Sequence, residues 1–418
     1  MASKPKTGIF YGWVIVVAGF IICLVAYGSM YSYGVFFGSL CEEFYWTRTA
    51  VSGAWSLFMA VHCGMSFVAG MVNDKYGPRR TMLLLAIFLG VGFALMSRIN
   101  ALWQLYIVYG VIIGIGMSFG QVPILSTVTR WFVERRGMAV GIASAGIGAG
   151  TIIMAPVAQF LILRFDWRTA FLIIAGIVVI VVVPISQLLL KSEPSEKGLL
   201  PYGYGKQTEN KNFRNPFPPE KGDYTLKEAL KKKEYWMIAV MWLFVAIAIQ
   251  MVFNHIKIYA TDVGIAPMTA AVSLGLVGAI SIAGRITIGS VSDKIGMRRC
   301  YLIANFLMAA MMFCLLTARQ PWQFYLFPAL FGFGYGGGNA LYPTITARYF
   351  GTKHHGAIYG MTVAICAVGT VIGPLVGGYI HDLTGSYNLA LIIGGASALT
   401  GFVLAFFLRA PFAKATSN

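Results

Sequence analysis

Long apolar stretches separated by short polar segments fill almost the whole chain of 418 residues. Apolar runs of about 18 or more residues are long enough to cross a bilayer as helices. The runs do not alternate between apolar and polar positions, as the short strands of a membrane β-barrel would. The pattern therefore predicts an all-α membrane protein with twelve transmembrane helices. These are residues 12–40, 50–72, 81–97, 102–128, 138–163, 168–190, 235–260, 268–291, 300–318, 322–347, 356–381 and 387–408.

Composition agrees with this interpretation. Hydrophobic residues make up 58% of the chain and charged residues 11%, whereas about a quarter of a typical soluble domain is charged. The first apolar run follows a basic start but is too long for a cleavable signal peptide, so we interpret it as the first helix. We expect a multi-pass protein of the cytoplasmic (inner) membrane, surrounded by lipid, and a monomer.

The net charge of +17 could indicate a nucleic-acid partner, but its distribution indicates topology instead. With the predicted helices, 25 Lys and Arg residues fall on the side of the two termini and five fall on the opposite side. Positively charged loops favour the cytoplasmic side of a membrane. We therefore expect both termini in the cytoplasm, and no nucleic-acid partner.

An internal repeat divides the chain. The segment GMVNDKYGPRR (70–80) returns as GSVSDKIGMRR (289–299), at an offset of 219 residues, and RWFVERRGMAVG (130–141) resembles RYFGTKHHGAIYG (348–360). Parallel repeats of this kind build two bundles related by an axis along the membrane normal. The sequence predicts a six-helix bundle over residues 1–190, a polar linker over 191–233 and a second bundle over 234–418.

No motif for catalysis, a cofactor or a metal is found. The glycine-rich segments lie inside apolar spans rather than after a strand, so they do not form nucleotide loops. There is no Walker lysine motif, and the scattered cysteines contain no CxxC pair. We expect no enzymatic activity, no cofactor and no metal.

The duplicated segment resembles the loop signature of the major facilitator superfamily, and the resemblance covers about residues 10–410. In that superfamily these loop residues latch the two halves through charge contacts. The resemblance implies a latch formed by Asp74, Arg79, Arg80, Asp293, Arg298 and Arg299.

Within the superfamily, YGWVIV, HIKIYATDVGIA and GRITIGSVSD resemble the monocarboxylate transporters and their relatives, the oxalate–formate antiporters. The resemblance implies that Arg285 binds a substrate carboxylate. The chain departs from these relatives at three places: Ser281 replaces an acid, helix 1 carries no charge, and Cys366 replaces a lysine. One fixed positive charge in the cavity favours a monoanion over oxalate.

Arg285 also attracts attention without the resemblance, because a charge inside the bilayer is costly and usually functional. Its guanidinium can bind a carboxylate through two parallel hydrogen bonds, although a snorkelling arginine is the alternative. The repeat favours function, since Ser66 occupies the equivalent position in the first half. The latch and the fold, which both halves share, do not need this charge.

Asp262 and His255 are candidates for proton coupling. A carboxylate in a partly dry site gains a raised pKa, and histidine titrates near neutral pH. We expect Arg285 to lie close enough to Asp262 for a bound anion to favour its protonation. The alternatives are a loop acid that caps the next helix and a histidine at the membrane edge.

Further polar and aromatic side chains could line the cavity, with helix packing as the alternative. They are Phe119, Gln121, Tyr335, Asn339 and Cys366, together with Tyr27 and Tyr31 of the first helix. The sequence thus predicts a secondary transporter that moves a small monocarboxylate of the lactate or pyruvate type, together with a proton. An organic-anion exchanger and a non-transporting membrane sensor remain alternatives.

Overall fold

The structure, a computed structural model, describes residues 9–204 and 223–408 and is helical throughout these ranges, apart from short connections. The first half contains α1 (Tyr11–Tyr31), α2 (Tyr33–Phe44), α3 (Arg48–Met96), α4 (Leu102–Leu105), α5 (Gly114–Ser118), α6 (Gln121–Trp131), α7 (Arg136–Arg164) and α8 (Trp167–Leu189). The second half contains α9 (Leu226–Ala229), α10 (Lys233–Asp262), α11 (Pro267–Ile295), α12 (Met297–Leu315), α13 (Gln323–Phe350), α14 (His355–Thr384) and α15 (Asn388–Phe407). The predicted fold class is confirmed.

The number of spans agrees with twelve once two features are considered. Ten helical stretches in the described ranges are long and apolar enough to cross a membrane. One of them, α3, has 49 residues and is broken by the non-helical backbone of Gly77, so it covers two spans. The glycine-rich α13 has 28 residues and is long enough to form a further span.

Gly77 and Gly296 form the same turn in the two halves. Both have a positive φ, 79° at Gly77 and 97° at Gly296, and they are 219 residues apart. Because a side chain is disfavoured in this region of backbone space, glycine is the residue suited to both turns. The repeated sequence therefore produces a repeated turn, which brings Asp74 and Asp293 to equivalent ends of their helices.

The predicted continuous helix over 102–128 is wrong in detail. A π-helical segment, Tyr106–Ile113, separates α4 from α5, and Gly120 leaves helical geometry with φ −82° and ψ −88° before α6. Four glycines, Gly110, Gly114, Gly116 and Gly120, lie in this stretch. Glycine weakens helical preference, and such π segments are frequent at functional sites.

The two halves meet along two helix pairs, α3 with α14 and α7 with α11. In the second pair a Cβ at Gly137 would collide with the carbonyl of Gly289, and in the first a Cβ at Gly70 would collide with the carbonyl of Gly356. Small residues allow helix backbones to approach this closely in lipid. The contacts cluster at the end that carries Asp74 and Asp293, so the molecule is closed at that end.

The segment predicted as a linker packs on both halves. Tyr202 forms an isolated β-bridge with Phe132 in the first half, and its ring lies 5.3 Å from that of Phe10. On the other side, the N–H of Tyr224 donates to the carbonyl of Phe350 at 3.0 Å. The linker also contains α9, which is four residues long and begins with a capping box of Thr225 and Glu228. Residues 205–222 of the linker and both terminal segments lie outside the described residues.

Candidate functional site

Arg285 lies on α11 at the boundary between the halves. Its neighbours Gly284 and Gly289 allow other helices to pack closely beside it. The residue is 2% exposed, and its carbonyl lies against Gly141 of the first half. Its guanidinium carbon lies 5.7 Å from the ring centre of Tyr335, within cation–π range. The charge is thus held inside the protein and does not snorkel to a surface.

Two donors of this guanidinium are free to bind a ligand. Nε and Nη1 of Arg285 are buried without a hydrogen-bond partner among the described residues. No carboxylate in the same ranges forms an ion pair with Arg285. Leaving buried donors unsatisfied costs about 1–3 kcal/mol each, and more when they are charged. A carboxylate would accept from both donors and balance the charge.

Side chains from both halves surround Arg285. Its charge acts on Cys23 and Tyr31 of α1 and on the Tyr359 hydroxyl of α14. Tyr31 is 39% exposed although its neighbours on α1 are buried, as expected for a residue that faces an open space. A ligand at Arg285 would therefore contact both halves.

Gln121 and Tyr359 join the halves beside this site. Nε2 of Gln121 donates to the Tyr359 hydroxyl at 3.3 Å. The Tyr359 ring stacks on Trp242 at 5.7 Å, and Trp242 in turn stacks on Tyr342 at 4.2 Å. This aromatic stack fixes the position of the hydroxyl from the side of the second half.

The other predicted cavity residues differ in how closely they approach the Arg285 site. Asn339 is half-buried one helical turn beyond Tyr335, on the same face of α13. Cys366 is buried and its sulfur lies 3.9 Å from the carbonyl of Trp242. Phe119 is buried within the first half, where its ring lies 6.4 Å from that of Phe88. The described contacts therefore connect Tyr335 and Gln121 to the Arg285 site more directly than Phe119.

The expected proximity of Asp262 to Arg285 is wrong. Asp262 ends α10, whereas Arg285 lies 18 residues into α11, which corresponds to about 27 Å along the helix. The Asp262 carboxylate is half exposed and lies 3.7 Å from Nε2 of His381. His255 contacts the carbonyl of Pro374 at 2.9 Å, and its ring lies 5.1 Å from that of Tyr387. These groups form a titratable cluster at the helix ends, remote from Arg285.

Asp74 bridges the two halves at the closed end. Its Oδ1 accepts from the N–H of Gly356 at 3.0 Å, and its Oδ2 accepts from the N–H of Ala357 at 2.8 Å. Both donors belong to the start of α14, where backbone N–H groups lack helical partners. Arg130 forms a buried ion pair with the same carboxylate, and its Nε donates to the carbonyl of Thr352.

Asp293 makes the equivalent contact from the second half. Its two oxygens accept from the N–H groups of Gly137 and Met138, at 2.8 and 3.0 Å, at the start of α7. Two of the four arginines predicted beside these acids, Arg79 and Arg298, have hydrogen-bond partners within their own halves, and Arg80 lies over the ring of Tyr76 in its own half. Nε of Arg79 donates to the carbonyl of Leu190, and Nε of Arg298 donates to the carbonyl of Ala405. At the latch end, the described polar contacts between the halves are therefore made by the two acids to backbone N–H groups and by Arg130 to the carbonyl of Thr352.

Sequence reasoning missed the roles of Arg130 and Tyr359. Arg130 is 56 residues from Asp74, and spacing alone does not pair them. Tyr359 could have been found by the same comparison that marked Arg285, because Val140 occupies its position in the first half at offset 219. Polar residues that appear in one copy of a repeat are therefore a useful signal for the ligand site.

Comparisons with known proteins agree with this architecture. The sequence model of the Major Facilitator Superfamily matches residues 19–361 and again residues 282–418. Among curated proteins, monocarboxylate transporter 12 of Mus musculus is 28% identical over 98% of this chain and 87% of its own length. Monocarboxylate transporter 13 of Bos taurus is 25% identical over 96% of this chain and 89% of its own. The resemblance to this transporter group is confirmed.

Solved structures show the same fold. The fucose:proton symporter FucP of E. coli matches with a TM-score of 0.72 at 15% identity, covering 97% of this chain and all of that one. The proton:xylose symporter XylE matches with a TM-score of 0.75 at 14% identity, covering 96% of each. This chain belongs to the Major Facilitator Superfamily and is a multi-pass membrane transporter of that family.

Proposed function

We propose that this protein is a secondary active transporter of a small monocarboxylate, coupled to a proton. The observation that carries the proposal is Arg285, a buried cation between the halves with two donors that lack partners. One guanidinium without a paired acid suits one carboxylate. The names of the monocarboxylate-transporter relatives agree with this class of substrate.

The proposed cycle uses contacts from both halves. The carboxylate binds Arg285, and the Tyr31 and Tyr359 side chains surround the rest of the substrate. The latch of Asp74 and Asp293 holds the end with the loops closed, and rocking of the halves breaks those contacts and opens the site to that side. A ligand shifts this equilibrium by the difference between its affinities for the two states.

Topology, localisation and assembly complete the proposal. The excess of Lys and Arg on one side supports cytoplasmic termini and puts the latch at the cytoplasmic face. In that orientation the closed end faces the cytoplasm. We place the protein in the cytoplasmic membrane as a monomer, with a first bundle over residues 1–190 and a second over 234–418.

Proton coupling would use Asp262 and His255 at the remote end of α10. Because these groups are far from Arg285, coupling cannot depend on direct contact with the substrate. Coupling would instead depend on whether protonation of Asp262 and His255 favours one conformation of the transporter over the other. Protonation that stabilises one state of the rocking equilibrium couples the two fluxes without a shared site.

Transport by purified protein in liposomes tests the proposal. Symport predicts uptake of labelled lactate or pyruvate into empty vesicles, driven by an imposed proton gradient and abolished when the gradient is dissipated. Uptake that requires vesicles preloaded with an organic anion, independent of the gradient, would instead establish an exchanger. Ligand-dependent thermal stabilisation without any flux would identify a sensor.

A further inference from the structure

The second half contains a pocket that the transport site does not use. It has a volume of about 730 Å³ and lies at the latch end, between α10, α12, α13 and α15. Its basic wall is formed by Arg298, Arg299 and Arg348, and its apolar wall includes Leu302 and Phe406. Ligand sites in proteins commonly have volumes of about 300–1,000 Å³.

Arg348 differs from its counterpart in the first half, Arg130, whose guanidinium is bound by the latch. The repeat aligns Arg348 with Arg130, 218 residues earlier. Arg130 is paired with Asp74, whereas Asp293 accepts from Gly137 and Met138 and forms no ion pair with Arg348 in the described ranges. The Nε of Arg348 is buried without a hydrogen-bond partner there. Arg348 does not take part in the latch, so its Nε–H is available to bind a ligand.

Other groups around the pocket add positive potential. The start of α12 lies in its wall, with Gly296 at the N-cap and no side-chain cap. The first N–H groups of a helix attract anions. Arg298 anchors the carbonyls of Ala405 and Phe406 at the end of α15, so its charge stays at the site. Two described acids lie near the pocket: the charge of Glu234 acts on Tyr349 together with Arg298 and Arg348, and that of Asp293 acts on Cys300 beside Arg299. Asp293 already accepts from the N–H groups of Gly137 and Met138. Two carboxylates do not balance three guanidinium groups.

The apolar wall indicates that the bound anion carries an apolar chain. Phe406 and Ile295 are both pocket residues and exposed on the outer surface, which in a membrane protein faces lipid. Ile303 and Phe306 continue this exposed apolar surface along α12. A free phosphate ester would use the arginines and leave this surface uncovered. An acyl chain would cover it while the headgroup contacts the arginines.

We propose that this pocket binds the phosphate headgroup of an anionic membrane lipid, with an acyl chain along α12. Basic pockets between helices at the membrane surface bind such headgroups. The bound lipid would connect α12, α13 and α15 beside the latch loop. It would therefore stabilise the second half as a unit.

Thermal unfolding of the full-length protein in detergent tests this site. The probes are palmitoyl-oleoyl phosphatidylglycerol, phosphatidylcholine with the same chains, and glycerol 3-phosphate. We expect phosphatidylglycerol to raise the Tm above the value with phosphatidylcholine, and glycerol 3-phosphate to have little effect at the same concentration. Equal Tm values with the two lipids would overturn the proposal. A full shift with glycerol 3-phosphate alone would also overturn it, because the site would then take a free phosphate ester.

Variants locate the effect. Arg348→Gln should weaken the apparent affinity for phosphatidylglycerol about tenfold, because a charged hydrogen bond is lost. Arg299→Gln, at an exposed position, should also weaken the affinity for phosphatidylglycerol without affecting the fold. It therefore replaces Arg348→Gln as the test if that variant does not fold. Arg80→Gln, the position equivalent to Arg299 in the first half, is the matched control and should bind like the parent protein. An unchanged affinity in Arg299→Gln and Arg348→Gln, or an equal loss in Arg80→Gln, would contradict the site.

Discussion

The side-chain amide of Gln121 in the first half donates a 3.3 Å hydrogen bond to the hydroxyl of Tyr359 in the second. This bond lies beside Arg285, whose charge acts on the same hydroxyl. It exists while the latch end is closed, so any motion that separates α6 from α14 must break it. The two residues therefore connect the substrate site with the arrangement of the halves.

A double-mutant cycle tests this connection. Gln121→Leu and Tyr359→Phe each remove one partner, and Tyr359→Phe keeps the ring that stacks on Trp242. We expect a coupling of about 0.5–1.5 kcal/mol in the free energy of unfolding, the usual net contribution of a hydrogen bond. Effects that simply add would show that the bond contributes nothing.

The latch gives a prediction about conformation. Asp74→Ala removes the acceptor of two backbone N–H groups and leaves Arg130 buried without its partner. Breaking a buried ion pair costs about 3–5 kcal/mol of stability, but this pair lies within the first half and is lost in both conformations. Because the two bonds to Gly356 and Ala357 join the halves only in the closed state, we expect the population to shift towards a state open at the latch end. Spin labels at Glu193, which follows α8 of the first half by four residues, and at Lys353 of the second half, both exposed, measure the opening as a longer distance.

Asp293→Ala and Arg79→Gln are informative comparisons for this experiment. Asp293→Ala should open the latch to a similar extent as Asp74→Ala, because each acid accepts from two backbone N–H groups of the other half. Arg79→Gln should leave the distance unchanged, since the described partner of Arg79 is Leu190 in its own half. An opening in Arg79→Gln as large as in Asp74→Ala would contradict the assignment of the latch to the acids.

The cluster around Asp262 predicts a separation of coupling from binding. Asp262→Asn should remove the stimulation of uptake by a proton gradient but keep the substrate affinity, because Asp262 lies far from Arg285. Asp382→Asn is the matched control, as an acid that also lies near His381. Uptake with an unchanged dependence on the proton gradient in Asp262→Asn would remove this residue from coupling.

A helix cap supplies a prediction about stability. Asp166 caps α8: its Oδ1 accepts from the N–H of Thr169 at 2.8 Å, and this hydrogen bond is the main reason that the pKa of Asp166 is lowered. Asp166→Ala should cost about 1 kcal/mol of stability. Because the pKa in the folded state is lowered, the stabilisation is present above the pKa of the unfolded state, about 3.9, and is lost as pH falls through the folded value.

Asp166→Asn separates charge from hydrogen bonding at this cap. Asparagine is also a good N-cap residue, so this variant should keep most of the stability at neutral pH and lose the acid dependence that the carboxylate contributes. Unfolding curves at pH 7 and at about pH 2, well below the unfolded pKa of about 3.9, measure both effects. Equal losses at pH 7 in Asp166→Ala and Asp166→Asn would show that the cap does not act through its side-chain acceptor.

Much of this molecule could be predicted from sequence because the signals are local. Apolar runs define the spans, and the repeat at offset 219 defines the equivalent turns at Gly77 and Gly296. Arg285 was found because a charge in an apolar run, present in one half and absent from the other, has no structural explanation. These patterns need no knowledge of which helices pack together.

The remaining features depend on packing between segments that are distant in sequence. The pairing of Asp74 with Arg130 follows from how α3 and α6 pack within the first half, and its bonds to Gly356 and Ala357 follow from how the two bundles meet. The expected proximity of Asp262 and Arg285 is wrong because two residues of a helical hairpin that are near in sequence can lie far apart along their helices. The π segment before α5 also arises from packing, since no simple periodicity distinguishes it from an α-helix.

The central claim is that Arg285 binds the carboxylate of the substrate, and its replacement tests that claim most directly. Uptake of labelled lactate and pyruvate should be compared in liposomes containing the parent protein, Arg285→Gln and Arg164→Gln. Arg164 is an exposed cation at the end of α7 and controls for loss of charge.

We expect Arg285→Gln to reduce uptake by about 100-fold or more, because two charge-assisted hydrogen bonds are lost, while its folding and lipid-dependent stability remain. Arg164→Gln should transport normally. Normal uptake of both monocarboxylates by folded Arg285→Gln would contradict the account.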